Sequence, residues 1–168
     1  MLGLCKPRMF LAACCLLAAN LAHATAQIPE LIKIDGETHD LFREPLNPYL
    51  LSNDAYIKEL ERLSKDRCTA SWRGYQGHWT IGSDQQLMLT ALFANPCSDK
   101  PAPIPLTTFF PDATGPVPAK WFSGKLLIPL GKMVQYQHMG YESEYEKYLI
   151  ITVDQGKVSS RETSTKRP

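Results

Sequence analysis

The sequence predicts a mainly β domain, a small antiparallel sheet, barrel or sandwich with one short helix at about residues 54–66. Three observations point there. Apolar and polar residues alternate through several runs of strand length. Turn-forming dipeptides such as Asp35-Gly36 separate those runs. A single stretch, "NDAYIKELERLSKDR", shows helical spacing instead.

The N-terminus is read first because it sets the compartment. Lys6 and Arg8 precede an apolar run from Met9 to Ala22, and "HATA" supplies Ala24 and Ala26 in an A-x-A arrangement. This is the architecture of a secretory signal peptide, with cleavage expected after Ala26. The run is interrupted by Asn20 and is shorter than the ~20 residues a membrane span needs, and no second candidate follows. The alternative is a lipid anchor through Cys14, since "LAAC" matches the pattern before a lipid-modified cysteine. Against it, only Met9 and Phe10 would remain as the preceding apolar region, and the hydrophobic run continues past Cys14. The resulting organisation is a signal peptide over 1–26, one mainly β domain over 27–158 and a flexible polar tail over 159–168.

The elements then follow in order. "LIKIDGETHDLF" alternates around Asp35-Gly36 and reads as a first hairpin. Pro45 and Pro48 make the next segment irregular. In the helix, Tyr56, Leu60 and Leu63 fall on one narrow stripe, with Asn53 or Asp54 available as its cap. A second hairpin lies between the cysteines. There Tyr75, Trp79 and Ile81 share one parity, and Leu87, Leu89, Ala91 and Phe93 share another. Apolar residues face each other only across an odd-length loop such as Gly82-Ser83-Asp84. One bulged residue at Gly74 or Gly77 would then bring Cys68 opposite Cys97.

Residues 95–120 are proline-rich yet contain "IPLTTFF", so a tethered crossover is expected in place of a free linker. "WFSGKLLIPLGK" resumes strand character, and "YLIITVDQGKV" reads as a last hairpin turning at Gly156. In the stretch before it the odd positions Met139, Tyr141, Tyr145, Leu149, Ile151 and Val153 suit a core side. His138, Glu142, Glu144, Glu146 and Tyr148 fall opposite; "GYESEYEKY" also fits a short helix leading into the strand.

Charge and cysteine usage narrow the classes of function. The signal segment holds two basic and no acidic residues, which leaves 16 basic against 17 acidic residues in the remaining chain. Near-neutral balance gives no electrostatic reason to expect nucleic acid or an anionic membrane as partner. Cys5, Cys14 and Cys15 leave with the signal, and the remaining Cys68 and Cys97 are expected to pair in an oxidising compartment.

No catalytic constellation is legible: the G-x-S-x-G, H-E-x-x-H, P-loop and G-x-G-x-x-G patterns are all missing from the sequence. His138 with Glu142, Glu144 and Glu146 offers metal-ligating residue types. On a strand these form a ladder, not a convergent site, so no metal and no cofactor is read. Trp72, opposite in parity to Tyr75 and Trp79, is expected beside His78 on the polar face of its strand; the commoner outcome there is covering by the helix at 54–66, whereas an exposed aromatic can anchor a partner or a sugar. The region Tyr141, Glu142, Glu144, Tyr145 and Glu146 gives an acidic face rimmed with tyrosine, which is read as plain solvated surface first and, functionally, as recognition of a basic partner.

At "WRGYQGHW" and "HMGYESEYEKYLIITV", with "WFSGKLLIPLGK" between them, the chain resembles a group of small exported bacterial proteins without an assigned chemistry. The resemblance covers roughly residues 28 to 158, implies an exported bacterial domain, and carries over no catalytic residue.

Together these readings lead to an expectation of a non-enzymatic binding protein, periplasmic or secreted. Its binding residues would be Trp72, His78, His138, Tyr141, Glu142, Glu144, Tyr145 and Glu146. Its partner would be another protein with a basic surface, such as an effector that it neutralises. The alternative is a small envelope-acting enzyme or ligand carrier that uses Trp72 with His78 or His138.

Overall fold

Asp35 and Gly36 both take positive φ (50° and 89°), the backbone that a two-residue hairpin turn requires. They join β1 (Glu30–Ile34) to β2 (Glu37–Leu41), as the sequence predicts. The computed structural model describes residues 25–65 and 67–168, so nearly all of the expected signal segment lies outside the described residues. After β2 the chain makes a one-turn helix, α1 (Asn47–Leu50), and then α2 (Asp54–Leu63). Asn53 caps α2 by accepting the Ala55 amide at 2.9 Å. The helix stops at Leu63, three residues short of the predicted end, and the one-turn helix before it was not foreseen.

The second hairpin pairs β3 (Tyr75–Ile81) with β4 (Leu87–Ala94). Trp79 faces Leu89 and Ile81 faces Leu87, so apolar residues do meet across an odd-length loop. That loop is 82–86, however, and the register shift opposite His78 and Trp79 places the extra residue on β4, at Thr90. The predicted bulge at Gly74 or Gly77 is therefore corrected. The shift also reverses the parity of β4 beyond Thr90, so Leu92 and Ala94 are buried, whereas Phe93 turns outward. Cys68 and Cys97 are bonded, with Cα atoms 6.4 Å apart. They close the open end of this hairpin.

The proline-rich crossover is tethered throughout. Two short strands, β5 (Ala102–Pro103) and β6 (Val117–Pro118), pair with β4, and a 3₁₀ turn spans Leu106–Thr108. Phe110 packs on both Tyr49 (4.6 Å) and Trp121 (5.1 Å), which also touch each other (4.8 Å), and Phe109 is fully buried. The last three strands are β7 (Gly124–Gln135), β8 (Glu144–Asp154) and β9 (Lys157–Ser164). Residues 159–164, expected as flexible tail, instead complete β9. Backbone pairing with β8 needs no apolar side chain, so polar composition did not reveal it.

The first sheet has the order β2-β1-β3-β4-β5 with β6 also on β4, and β1 lies parallel to β3; the second is β7-β8-β9. The sheets touch at two seams. At one, the Phe42 amide donates to Leu127 O at 2.8 Å; at the other, Leu87 donates to Gly156 O and Val158 to Gln85 O. The main core fills the space between, with Ile32, Trp79 and Leu89 facing Leu126, Ile128 and Ile151. The protein is thus a mainly β, sandwich-like domain. Among the described residues no helix is long and apolar enough to cross a membrane.

Candidate functional site

Glu30 heads β1 and faces inward beside Trp79. Room for its carboxylate exists because position 77 is glycine: a Cβ there would come within 2.8 Å of both Glu30 Oε2 and Trp79 Nε1. Trp79 Nε1–H donates to Glu30 Oε2. Arg73, whose side chain is only 5% exposed, lies 3.7 Å by Nε from Glu30 Oε1 and 3.2 Å by Nη1 from Glu44 Oε1. It also donates to Tyr141 Oη at 2.9 Å and to Ile28 O at 2.8 Å. Tyr141 in turn donates to Glu44 Oε1 at 3.1 Å, and Asn47 Nδ2 donates to the other Glu44 oxygen.

Burial decides the electrostatics of this unit. It pushes Glu30 up to about 7, against the opposing pull of the Arg73 charge and the Trp79 hydrogen bond. Burial also raises the Tyr75 and Tyr141 hydroxyls, which stay neutral. For Arg73 burial works downward, but Glu30, Tyr141 and Glu44 more than offset it, so the guanidinium remains charged. One cation is shared between two carboxylates, and the arrangement fixes Tyr141 onto the first sheet.

Tyr141 is the first member of an aromatic floor. Its ring stacks on Phe42 at 5.1 Å with planes 12° apart, and Phe42 meets Tyr145 edge-on at 5.6 Å. Tyr145 in turn meets Tyr148 edge-on, and its amide donates to Tyr148 Oη at 2.9 Å. Beneath lie Leu127 and Ile150, which with Phe42 and Tyr148 form a second buried cluster on the outer side of β7 and β8. The predicted parity holds for Leu149, Ile151 and Val153, which lie on the main core, and is corrected for Tyr141 and Tyr145, which reach this outer cluster with Tyr148. Opposite this stretch β7 carries extra residues where its register shifts at Met133 and Gln135. Tyr148 is buried, not solvated, because Phe42 covers that side, and Met139 is 63% exposed, not core. The region is turn and then strand, not a helix.

Carboxylates surround this floor unevenly. Glu142 and Glu144 are exposed, and Glu142 lies 3.8 Å from Arg167. Asp40 adds a third acid beside Tyr145; burial first and the Asp40 charge second raise the Tyr145 hydroxyl. Glu146 is committed elsewhere: it lies over Gly131 and accepts the Lys132 amide at 3.0 Å, closing a bulge in β7. Next to the floor an open groove of about 760 Å³ runs past Phe42, Glu44, Asn47, Phe122 and Lys125.

Trp72 and His78 are not brought to this face. Trp72 is 71% exposed, in the turn before β3 and not on the strand's polar face, with its amide held by Gln27 Oε1 at 3.1 Å. It borders a groove of about 360 Å³ with Glu61, Arg67 and Arg73, which meets the larger groove at Glu44, Asn47 and Leu51. His78 packs on Phe93 at 4.8 Å on the outside of the first sheet, and burial lowers its basicity. His138 lies in the loop after β7, edge-on to Tyr136 at 4.7 Å. Among the described residues no group of three or more His, Cys, Asp or Glu is placed to hold a metal ion.

Sequence reading missed Glu30, Glu44, Arg73 and Phe42. A carboxylate among apolar strand residues, and an arginine followed by Gly74, were the available signals. Fold and site together define a mainly β domain that carries the Cys68–Cys97 disulfide and a tyrosine-floored face bordered by Glu142, Glu144 and Asp40. In comparison with known proteins, no family model matches the chain, and no curated protein and no solved structure is similar to it.

Proposed function

We propose that the chain is an exported bacterial binding protein of the periplasm whose partner is another protein with a basic segment, in the manner of an immunity-type inhibitor of an effector. The observation that carries this is the Tyr141–Phe42–Tyr145 floor with Glu142, Glu144 and Asp40 around it. Aromatic rings held by packing lose little freedom on binding, and flanking carboxylates steer a cationic partner. The Cys68–Cys97 bond supports an oxidising compartment, and the leader-like residues 1–26 support export. A second reading, a ligand carrier or small enzyme acting on envelope material, draws on the open groove that shares Phe42, Glu44 and Tyr141 with the face.

The test is retention of envelope proteins on immobilised residues 27–168, with a Glu142→Gln/Glu144→Gln variant alongside. A basic protein should be held by the parent at low salt, released as salt rises, and lost from the variant. Equal retention by the variant overturns the reading and moves attention to the groove. Intact mass of the exported chain should correspond to a start at Gln27; a lipid-modified Cys14 would overturn the periplasmic assignment.

A further inference from the structure

We propose that residues 165–168 act as an internal stand-in for the partner, lying across the acidic tyrosine face until a basic segment of another protein displaces them. The proposal rests on the reading of that face given above. Pairing of β9 with β8 ends at Ser164 opposite Tyr148. There Ser164 Oγ accepts the Lys166 amide at 3.0 Å and donates to Lys166 O at 2.8 Å, which turns the chain at once. Thr165, Lys166 and Arg167 then border a hollow with Glu144, Tyr145 and Tyr148. Arg167 and Pro168 continue along the neighbouring groove beside Phe42, Leu127 and Glu142.

The charges match the proposed occupant. Arg167 Nη1 stands 3.8 Å from Glu142 Oε2, and the arginine side chain keeps 28% of its exposure against 61% for the glutamate. Arg43 and Lys125 line the same groove and add positive charge there, so the attraction for a basic segment comes from Glu142 and Glu144 alone. An ion pair this long and this exposed contributes little, so it is easily displaced. Its occupancy comes from tethering, because a segment attached at Ser164 acts at a local concentration in the millimolar range. The segment that fits carries two adjacent cations followed by a compact apolar residue, as Lys166, Arg167 and Pro168 do. A partner segment that also engages Glu144 or the tyrosines outcompetes it.

The experiment compares residues 27–168 with the same chain ended at Ser164, both ¹⁵N-labelled. The probe is the peptide Thr-Ser-Thr-Lys-Arg-Pro. Ending the chain at Ser164 should shift the amides of 142–148 and Leu127, and the peptide should restore them. The full chain should need at least about tenfold more peptide for the same response. A peptide carrying Lys166→Glu and Arg167→Glu should have no effect. If both chains respond at the same concentration, the stand-in is overturned, while the reading of the face stands if Glu142→Gln/Glu144→Gln weakens both responses. If the peptide perturbs the face in neither chain, the stand-in and the basic-segment reading fall together.

Discussion

The Glu30 carboxylate lies 3.7 Å from Arg73 Nε, with the glutamate side chain fully buried and the arginine nearly so. Because burial raises Glu30 from 4.5 to about 7, the folded chain holds this proton more tightly than the unfolded chain does. The associated stability is complete below pH 4.5 and is lost as pH rises through about 7. Unfolding free energy should therefore fall by about 3 kcal/mol between these limits. Asp40, raised by burial, contributes in the same sense, so Glu30→Gln is the needed comparison. Denaturant unfolding at pH 5 and pH 8 checks it; a Glu30→Gln variant with the parent's slope would show that Glu30 is not the titrating group.

The bond between Cys68 and Cys97 spans a separation of 29 residues. Closing a loop of this length stabilises by about 3.5 kcal/mol in the chain-entropy treatment. Cys68→Ser/Cys97→Ser should lower the urea midpoint accordingly while keeping the β-rich circular dichroism spectrum. The oxidised parent should show no free thiol among residues 27–168.

The three glutamates of the acidic stretch should separate in stability measurements. Glu146→Ala removes the acceptor of the Lys132 amide and should cost about 1 kcal/mol. Glu142→Gln and Glu144→Gln, on exposed positions, should stay within about 0.5 kcal/mol of the parent. Equal loss from all three, read by thermal unfolding, would contradict the division between a structural and a recognition carboxylate.

Gly156 sits at φ +81°, and a Cβ on it would lie 2.8 Å from the Ala119 carbonyl oxygen. Backbone cannot yield as a flexible side chain does. Gly156→Ala should therefore cost about 2 kcal/mol or more, from the left-handed conformation and the forced shift together. Gly115→Ala, with open space around it, should change little and serves as the control.

How much of this was legible depends on how local each signal is. Both tight turns were readable because Asp35-Gly36 and Gln155-Gly156 specify their own backbone. The helix cap was narrowed to Asn53 or Asp54, of which Asn53 is the one that caps, and the disulfide followed from cysteine count. The bulge at Thr90 and the shifts at Met133 and Gln135 were not readable, since each depends on which residue the opposite strand presents. One shifted residue exchanged the inner and outer roles of Leu92 and Phe93. It was likewise the covering by Phe42, a residue distant in sequence, that turned Tyr148 from surface into core. The acidic tyrosine stretch could be picked out as a candidate, but the Arg73–Glu44 support beneath Tyr141 joins residues far apart in sequence.

The two seams between the sheets also set an order of assembly. Every hairpin here closes between chain neighbours, whereas the seams unite Phe42 with Leu127 and Gln86 with Lys157. Loop closure over such separations is slow compared with hairpin formation. A folding chain thus forms its hairpins first and latches the sheets last. The latches should then be the first contacts of the native protein to let go. Slow amide exchange should be concentrated inside β3, β4 and β8, and the Phe42 and Val158 amides should exchange sooner, marking the line along which the molecule opens.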